Sequence, residues 1–404
     1  MRDQTDPSPA PPLRTLPLRV LSLTKSTGGL AQFNRALLSE LAHEGVESWT
    51  LCLSENGEDY AATLRARGLG AEALSMNRYA IDPAGDLRLF RRVLAIVRER
   101  RPDVILSHGA KPGFLARAAG RMAGAPAVYR MASLPFIRRV QGGKAPLYWA
   151  LEVGARAFGG HVVALTEGAR ETALKWRVAA PARISVIHTG VDVARFRDQG
   201  RRDATLAGFG LDPARPVVGW LGRFEPQKAP GDFAAALAIV ARAHPAMQAL
   251  VAGEGALRDD FAARIAAAGL GDRVTILPWQ SDTPRLLEAL DVFALSSLWE
   301  GLPITLLEAM ACGAAPVATA VDGSAEAIVD GESGLLVPPG DPQAMAAAIG
   351  RLLDDPALRA RLSVGARARV EAHFEKRRWL AQWRLLLERL AARQPVGDLL
   401  AAEA

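Results

Sequence analysis

Two cysteines in 404 residues, Cys52 and Cys312, are too few for a disulfide scaffold and point to a reducing compartment. Long apolar runs are missing as well. The longest stretch without a charge, Ala309 to Val321, is broken by Gly313 and Pro316 and falls short of the ~20 residues that a membrane span needs. No Lys/Arg tract exceeds three residues and no Cys/His spacing suits a metal, which argues against nucleic acid and against a structural zinc. Residues 1–17 hold five prolines and mixed charges but no apolar core, so they read as a loose tail and not as a signal peptide.

What is present is ample for a packed protein. Half of the residues are apolar and 23% are charged, and the length suits two domains. The net charge of +6 is unevenly spread: residues 1–193 carry 26 Lys+Arg against 17 Asp+Glu, and the remainder is slightly acidic. That asymmetry hints at an anionic partner on the first half.

Short apolar runs alternate with amphipathic stretches throughout. In the first half, strands are predicted at 18–23, 49–53, 103–106, 127–130, 161–165 and 184–187, with helices at 30–43 and 87–101. The pattern restarts with strands at 216–221, 248–252, 274–277, 292–295, 315–318 and 335–337, and ends on a long helix at 374–392. The fold class is therefore α/β, with two doubly wound parallel sheets whose ligand cleft lies at the strands' carboxyl ends. The expected division is a tail at 1–17, domains at 18–190 and 191–373, and a terminal helix at 374–394 crossing back to the first domain.

Three loops could carry chemistry. Lys25-Ser26-Thr27-Gly28-Gly29 enters a helix, and adjacent glycines let backbone N–H groups approach a phosphate. It lacks the third glycine of a dinucleotide fingerprint, and a plain tight turn explains it equally well. Gly222-Arg223 and Lys228 place two cations at a strand end, fit for a diphosphate or simply solvated. The segment from Ser296 to Gly313 is the richest. Pro303 fits the first position of a helix and Gly313 its stop, leaving the amides of Ile304, Thr305 and Leu306 open at a positive helix end. Glu308 is the only charge between Glu300 and Asp322, so it is expected to be buried and to need donors. A ribose diol or a structural salt bridge would supply them.

The pairing Glu300-x7-Glu308, with Gly-Leu-Pro between and Glu-Ala-Met-Ala after, resembles the retaining glycosyltransferases of the GT-B fold, family 4. The resemblance covers about residues 18–385. It takes in Gly28-Gly29, His108 after Asp-Val-Ile-Leu-Ser, Ile-His-Thr-Gly-Val-Asp at 187–192 and Gly-Arg…Lys at 222–228. It continues through Gly253-Glu254-Gly255, Asp322-Gly323…Glu326 and Gly334-Leu335-Leu336-Val337-Pro338.

The resemblance implies two Rossmann-like domains and a sugar transfer from a UDP- or GDP-sugar with retention of configuration. Arg223 and Lys228 would hold the donor diphosphate, Glu308 the ribose and Glu300 the hydroxyls of the transferred sugar. His108 would line the sugar site, and Gly28, Gly29, Gly222, Gly301, Leu302, Ile304 and Thr305 would border the donor. Without an Asp-x-Asp the usual metal clamp is missing, so no metal and no other cofactor is expected. Ala31, Thr189 and Trp279 depart from the common pattern, on the acceptor side, at the hinge and near the base pocket. The acceptor would be a glycan or glycolipid of cell-envelope biosynthesis, in the cytoplasm or at the inner membrane face. Two basic segments could meet anionic lipid: the helix holding Arg88, Arg91 and Arg92, and Phe136 to Trp149 with Arg138, Arg139 and Lys144. The plain reading of the first is a surface helix packing on its own sheet through Leu87, Phe90, Val93, Leu94 and Val97. A GT-B-like sugar-nucleotide epimerase and a non-catalytic nucleotide-sugar-binding protein stay open as alternatives. A nicotinamide enzyme, suggested only by Glu55, is disfavoured.

Overall fold

A computed structural model describes residues 17–26, 28–55, 57–77, 82–131, 145–397 and 399. Residues 1–16 of the expected tail, Thr27, and Phe136, Arg138, Arg139 and Lys144 lie outside them.

Two wholly parallel sheets organise the chain. The first holds β1 (Arg19–Lys25), β2 (Glu47–Leu53), β3 (Gly70–Leu74), β4 (Val104–His108), β5 (Ala127–Met131), β6 (His161–Ala164) and β7 (Ile184–Val186), in the order β3-β2-β1-β4-β5-β6-β7. The second holds β8 (Val217–Leu221), β9 (Gln248–Ala252), β10 (Val274–Leu277), β11 (Val292–Leu295), β12 (Ala315–Thr319) and β13 (Leu335–Val337), in the order β10-β9-β8-β11-β12-β13. Central strands such as β4, β8 and β11 are buried at every residue. Helices cover both faces, which is why these strands read as continuous apolar runs and not as alternating ones.

By packing, the chain forms two compact units. One runs to Tyr129 and takes in Ala155–His161 and Leu386–Val396; the other includes Arg130–Gly154 and Val162–Leu385. In the second unit the core lies on both faces of the sheet. On one face Trp220, Phe224, Phe233 and Phe261 interlock, with Phe233 and Phe261 stacked 6.2 Å apart at 4°. Truncating such a ring to alanine costs about 3–5 kcal/mol. On the other face Leu306, Leu307 and Met310 of the Ile304–Cys312 helix pack with Leu295, Phe293 and Leu290.

Three expectations need correction. β3 was not predicted: Gly-Ala-Glu-Ala-Leu has little apolar bulk, as suits an edge strand with only its second residue buried. The arginine-rich helix spans Pro83–Arg100, and its inner face is Leu89, Val93, Leu94, Ile96 and Val97, whereas Leu87 is 48% exposed. Asp82 caps the start, its carboxylate accepting the Gly85 amide at 3.0 Å. Lastly, Phe374 does not begin the terminal helix, which is Lys376–Ala391; it ends Pro356–His373 instead, and its carbonyl accepts the Val191 amide. Among the described residues no helix is long and apolar enough to cross a membrane.

Candidate functional site

β8 and β11 are neighbours, yet the chain leaves them in opposite directions, towards β9 and towards β12. Such a reversal opens a crevice at the carboxyl edge of an α/β sheet. Both cation-bearing and carboxylate-bearing loops of the second half start there, at Gly222 and Ser296.

Side chains stitch the two loops together. Ser296 Oγ donates to the Lys228 carbonyl at 2.8 Å, Leu298 N to the Gln227 carbonyl at 2.8 Å, and Gln227 Nε2 to the Trp299 carbonyl at 3.0 Å. Glycines bring in the flanking loops. A Cβ on Gly253 would sit 1.8 Å from the Gly222 carbonyl oxygen, and one on Gly323 1.8 Å from that of Gly301. Neither contact could survive a side chain, so the loops after β9 and β12 press directly on Gly222 and Gly301. Glu254, between Gly253 and Gly255, accepts the Trp279 amide at 3.3 Å, and the Trp279 ring is left 65% exposed on the same edge.

Lys228 Nζ meets Glu300 Oε1 at 2.5 Å with side-chain exposures of 13% and 7%, and Ser297 Oγ donates to the same oxygen at 2.6 Å. Removing one partner of so buried a pair strands the other charge. Arg223 lies farther out, 63% exposed, and pairs with Glu225 at 2.7 Å. Lys228 is thus fixed in a buried pair, whereas Arg223 is held at the exposed side by Glu225 and by Gln227 Oε1 at 3.3 Å.

The Ile304–Cys312 helix begins one residue later than predicted. Pro303 is its N-cap, with extended backbone, and Gly313 ends it in the left-handed region at φ 88°. The shift uses up one expected donor, since Leu306 N already bonds the Pro303 carbonyl at 3.1 Å. Among the described residues the Ile304 and Thr305 amides have no such acceptor, so two donors remain at the positive helix end. One turn on, the part-buried Glu308 carboxylate has no hydrogen-bond partner among the described residues. Burial pushes its pKa up to about 7, and the charge of Arg195 pulls it only partly back.

In the first unit the equivalent reversal lies between β1 and β4. Gly28 and Gly29 open the Gly28–His43 helix after β1, and a Cβ on Gly29 would meet nothing within 4 Å. Internal packing does not require that glycine. His108 ends β4, fully buried, with its ring edge-on to Phe33 at 5.4 Å.

Further contacts at the site carry no signal in the sequence. Ser297 and Arg195 act on Glu300 and Glu308 from positions whose types are common anywhere. Glu326 appears in the sequence pattern, but its partners do not. Its carboxylate accepts the Glu167 amide at 2.8 Å and meets His188 Nε2 at 2.5 Å. Burial pushes Glu326 up, yet the His188 bond and the Glu167 and Gly168 amides outweigh it and hold the carboxyl below its usual range.

Two family profiles match the chain, Glycosyltransferase Family 4 over residues 27–195 and Glycosyl transferases group 1 over residues 202–369. The chain is 28% identical over 278 residues to the UDP-Gal:alpha-D-GlcNAc-diphosphoundecaprenol alpha-1,3-galactosyltransferase of Escherichia coli, covering 68% of this chain and 72% of that one. It is 39% identical over 177 residues to the D-inositol 3-phosphate glycosyltransferase of Mycolicibacterium gilvum, 43% of this chain but only 40% of that relative's length. Its fold matches Anabaena HepE, solved in complex with UDP, at a TM-score of 0.79 and 22% identity, covering 91% and 98% of the two chains.

Proposed function

The chain belongs to the group 1 glycosyl transferases of family 4, with the two parallel α/β sheets of a GT-B enzyme, and from that premise we propose that it moves a sugar from a UDP- or GDP-sugar to a glycan or lipid-linked acceptor, with retention of configuration and without a metal. One observation carries this reading: an unpartnered Glu308 carboxylate one turn from two open helix amides, beside a fixed Lys228–Glu300 pair at the sheet's reversal point. A phosphate and a diol are the groups that such a set lacks.

In the proposed reaction the bond between the anomeric carbon and the β-phosphate oxygen breaks, and the acceptor oxygen bonds to the same face of the sugar. The acceptor's proton passes to the departing phosphate oxygen. Negative charge therefore collects on the diphosphate, where Lys228, the Ile304 and Thr305 amides and an Arg223 turned away from Glu225 would stabilise it. Glu308 would accept from the ribose hydroxyls. Glu300, already oriented by Lys228 and Ser297, would accept from the transferred sugar. His108 and Gly29 are proposed to border the sugar and the phosphates. The lipid-linked acceptor and a role in envelope polysaccharide or lipopolysaccharide synthesis draw support from the E. coli relative, whose name specifies a diphosphoundecaprenol acceptor.

Incubation with labelled nucleotide sugars, with and without membrane glycolipids, tests the proposal. Label should enter the lipid fraction only when acceptor is present. Release of nucleotide with no acceptor requirement would favour epimerase chemistry instead.

A further inference from the structure

The Ala145–Gly154 helix is built inside out. Its outward residues, Pro146, Leu147, Trp149, Ala150, Leu151 and Gly154, are all exposed and none is charged, while its one charged residue, Glu152, is 4% exposed. An ordinary surface helix shows the reverse. Leu147 is 47% exposed, Leu151 41% and Trp149 37%. Beside them lies Trp176, also 47% exposed, whose carbonyl accepts the Trp149 indole N–H at 3.0 Å. A contiguous apolar surface of this kind marks an interaction site.

We propose that this face docks on an anionic lipid bilayer. Cations border it: Lys175 and Arg177, both exposed, flank Trp176. Leucines surrounded by tryptophans and then by basic side chains match the layering of a bilayer's acyl boundary, interface and anionic headgroups. A second copy of the chain fits less well. Ten residues of helix, about 15 Å long and about 10 Å wide, present a face on the order of 150 Å², well short of the ~800 Å² per partner of a stable dimer. The Pro83–Arg100 helix, the other basic candidate, has its aliphatic side turned onto its own sheet, and its Arg92 is paired with Glu72 at 2.8 Å. The docking face deepens the proposed function by naming where the chain would meet the membrane that holds a lipid-linked acceptor. It stands on surface chemistry alone, so nucleotide is left out of its test.

Flotation of the full chain with phosphatidylcholine vesicles, with and without phosphatidylglycerol, is the experiment. Binding is expected to the anionic vesicles, to weaken with salt, and to fall about tenfold or more in Leu147→Gln/Leu151→Gln. Both leucines are exposed, so the variant should keep the wild-type melting temperature, which is measured alongside. Lys175→Ser/Arg177→Ser should lose the preference for anionic vesicles while keeping residual binding. The proposal is overturned if the wild-type chain binds neither vesicle, or if the leucine variant floats as well as wild type. It is also overturned if light scattering finds a wild-type dimer that the leucine variant breaks, which would assign the face to a second copy.

Discussion

Replacing Glu308 by Gln should strengthen the empty protein while crippling its use of nucleotide, and the sign of the first effect is the informative one. Folding holds the carboxyl at about 7 against an ordinary 4.5. The native state therefore binds more protons than the unfolded chain between those values, and wild-type stability falls as pH rises through that window, then levels off. The gap corresponds to at most about 3 kcal/mol, reduced by the residue's partial exposure. Gln carries no charge but still buries an amide, so a gain of about 1–2 kcal/mol at pH 8 is expected. In a unit of this size that is several degrees of melting temperature. Near pH 4.5, where the wild-type carboxyl is protonated, the two proteins should melt together. Melts without nucleotide at both pH values decide it. If Glu308→Gln melts below wild type at pH 8, the carboxylate already has a structural partner and its reading as a vacant acceptor is wrong.

Glu300 should behave differently, because Lys228 and Ser297 already engage it. Glu300→Gln removes the counter-charge of Lys228, so it should not weaken the Kd for free nucleoside diphosphate while it lowers kcat with intact donor; a loss of nucleotide binding equal to that of Glu308→Gln, measured by calorimetry, would refute the division. Glu326→Gln should destabilise the protein by about 1–3 kcal/mol at pH 7, since it weakens charge-assisted bonds to His188 and the Glu167 amide. That carboxyl is held below its ordinary value, so its contribution is present above about 4.5 and is lost as pH falls through the lower native value; chemical denaturation at pH 7 and pH 3 should show the difference shrink. Chelator should leave turnover intact, and a strict requirement for added magnesium or manganese would overturn the charge-stabilisation scheme.

Much of this was legible in the sequence, for identifiable reasons. Parallel strands covered on both faces must be apolar throughout, so β1, β8, β9 and β11 stand out, and β10, β11 and β13 were located to the residue. Gly70–Leu74 stayed hidden because Gly-Ala-Glu-Ala-Leu lacks the apolar bulk that marks even the edge strands Val274–Leu277 and Leu335–Val337. The isolation of Glu308 in apolar sequence pointed to burial, and its side chain is part-buried. What stayed hidden were contacts between segments distant in sequence. Lys228 and Glu300 could be named, but not the 2.5 Å pairing between them, which depends on β8 and β11 being neighbours. The one-residue shift at Pro303 was hidden too, since proline suits both the N-cap and the first helical turn, and only the backbone chooses between them.

The central claim is that Glu308 grips the ribose of a nucleotide held at this crevice. A binding cycle by calorimetry tests it most directly, with wild type and Glu308→Gln each titrated with a nucleoside diphosphate and with its 2′,3′-dideoxy counterpart. A charge-assisted bond of about 1.5–3 kcal/mol predicts a roughly ten- to hundredfold loss for wild type when the ligand loses its diol. Glu308→Gln should show a similar loss with the natural nucleotide and almost no further loss with the dideoxy one. Independent, fully additive losses would mean that the diol is recognised elsewhere and would contradict the account.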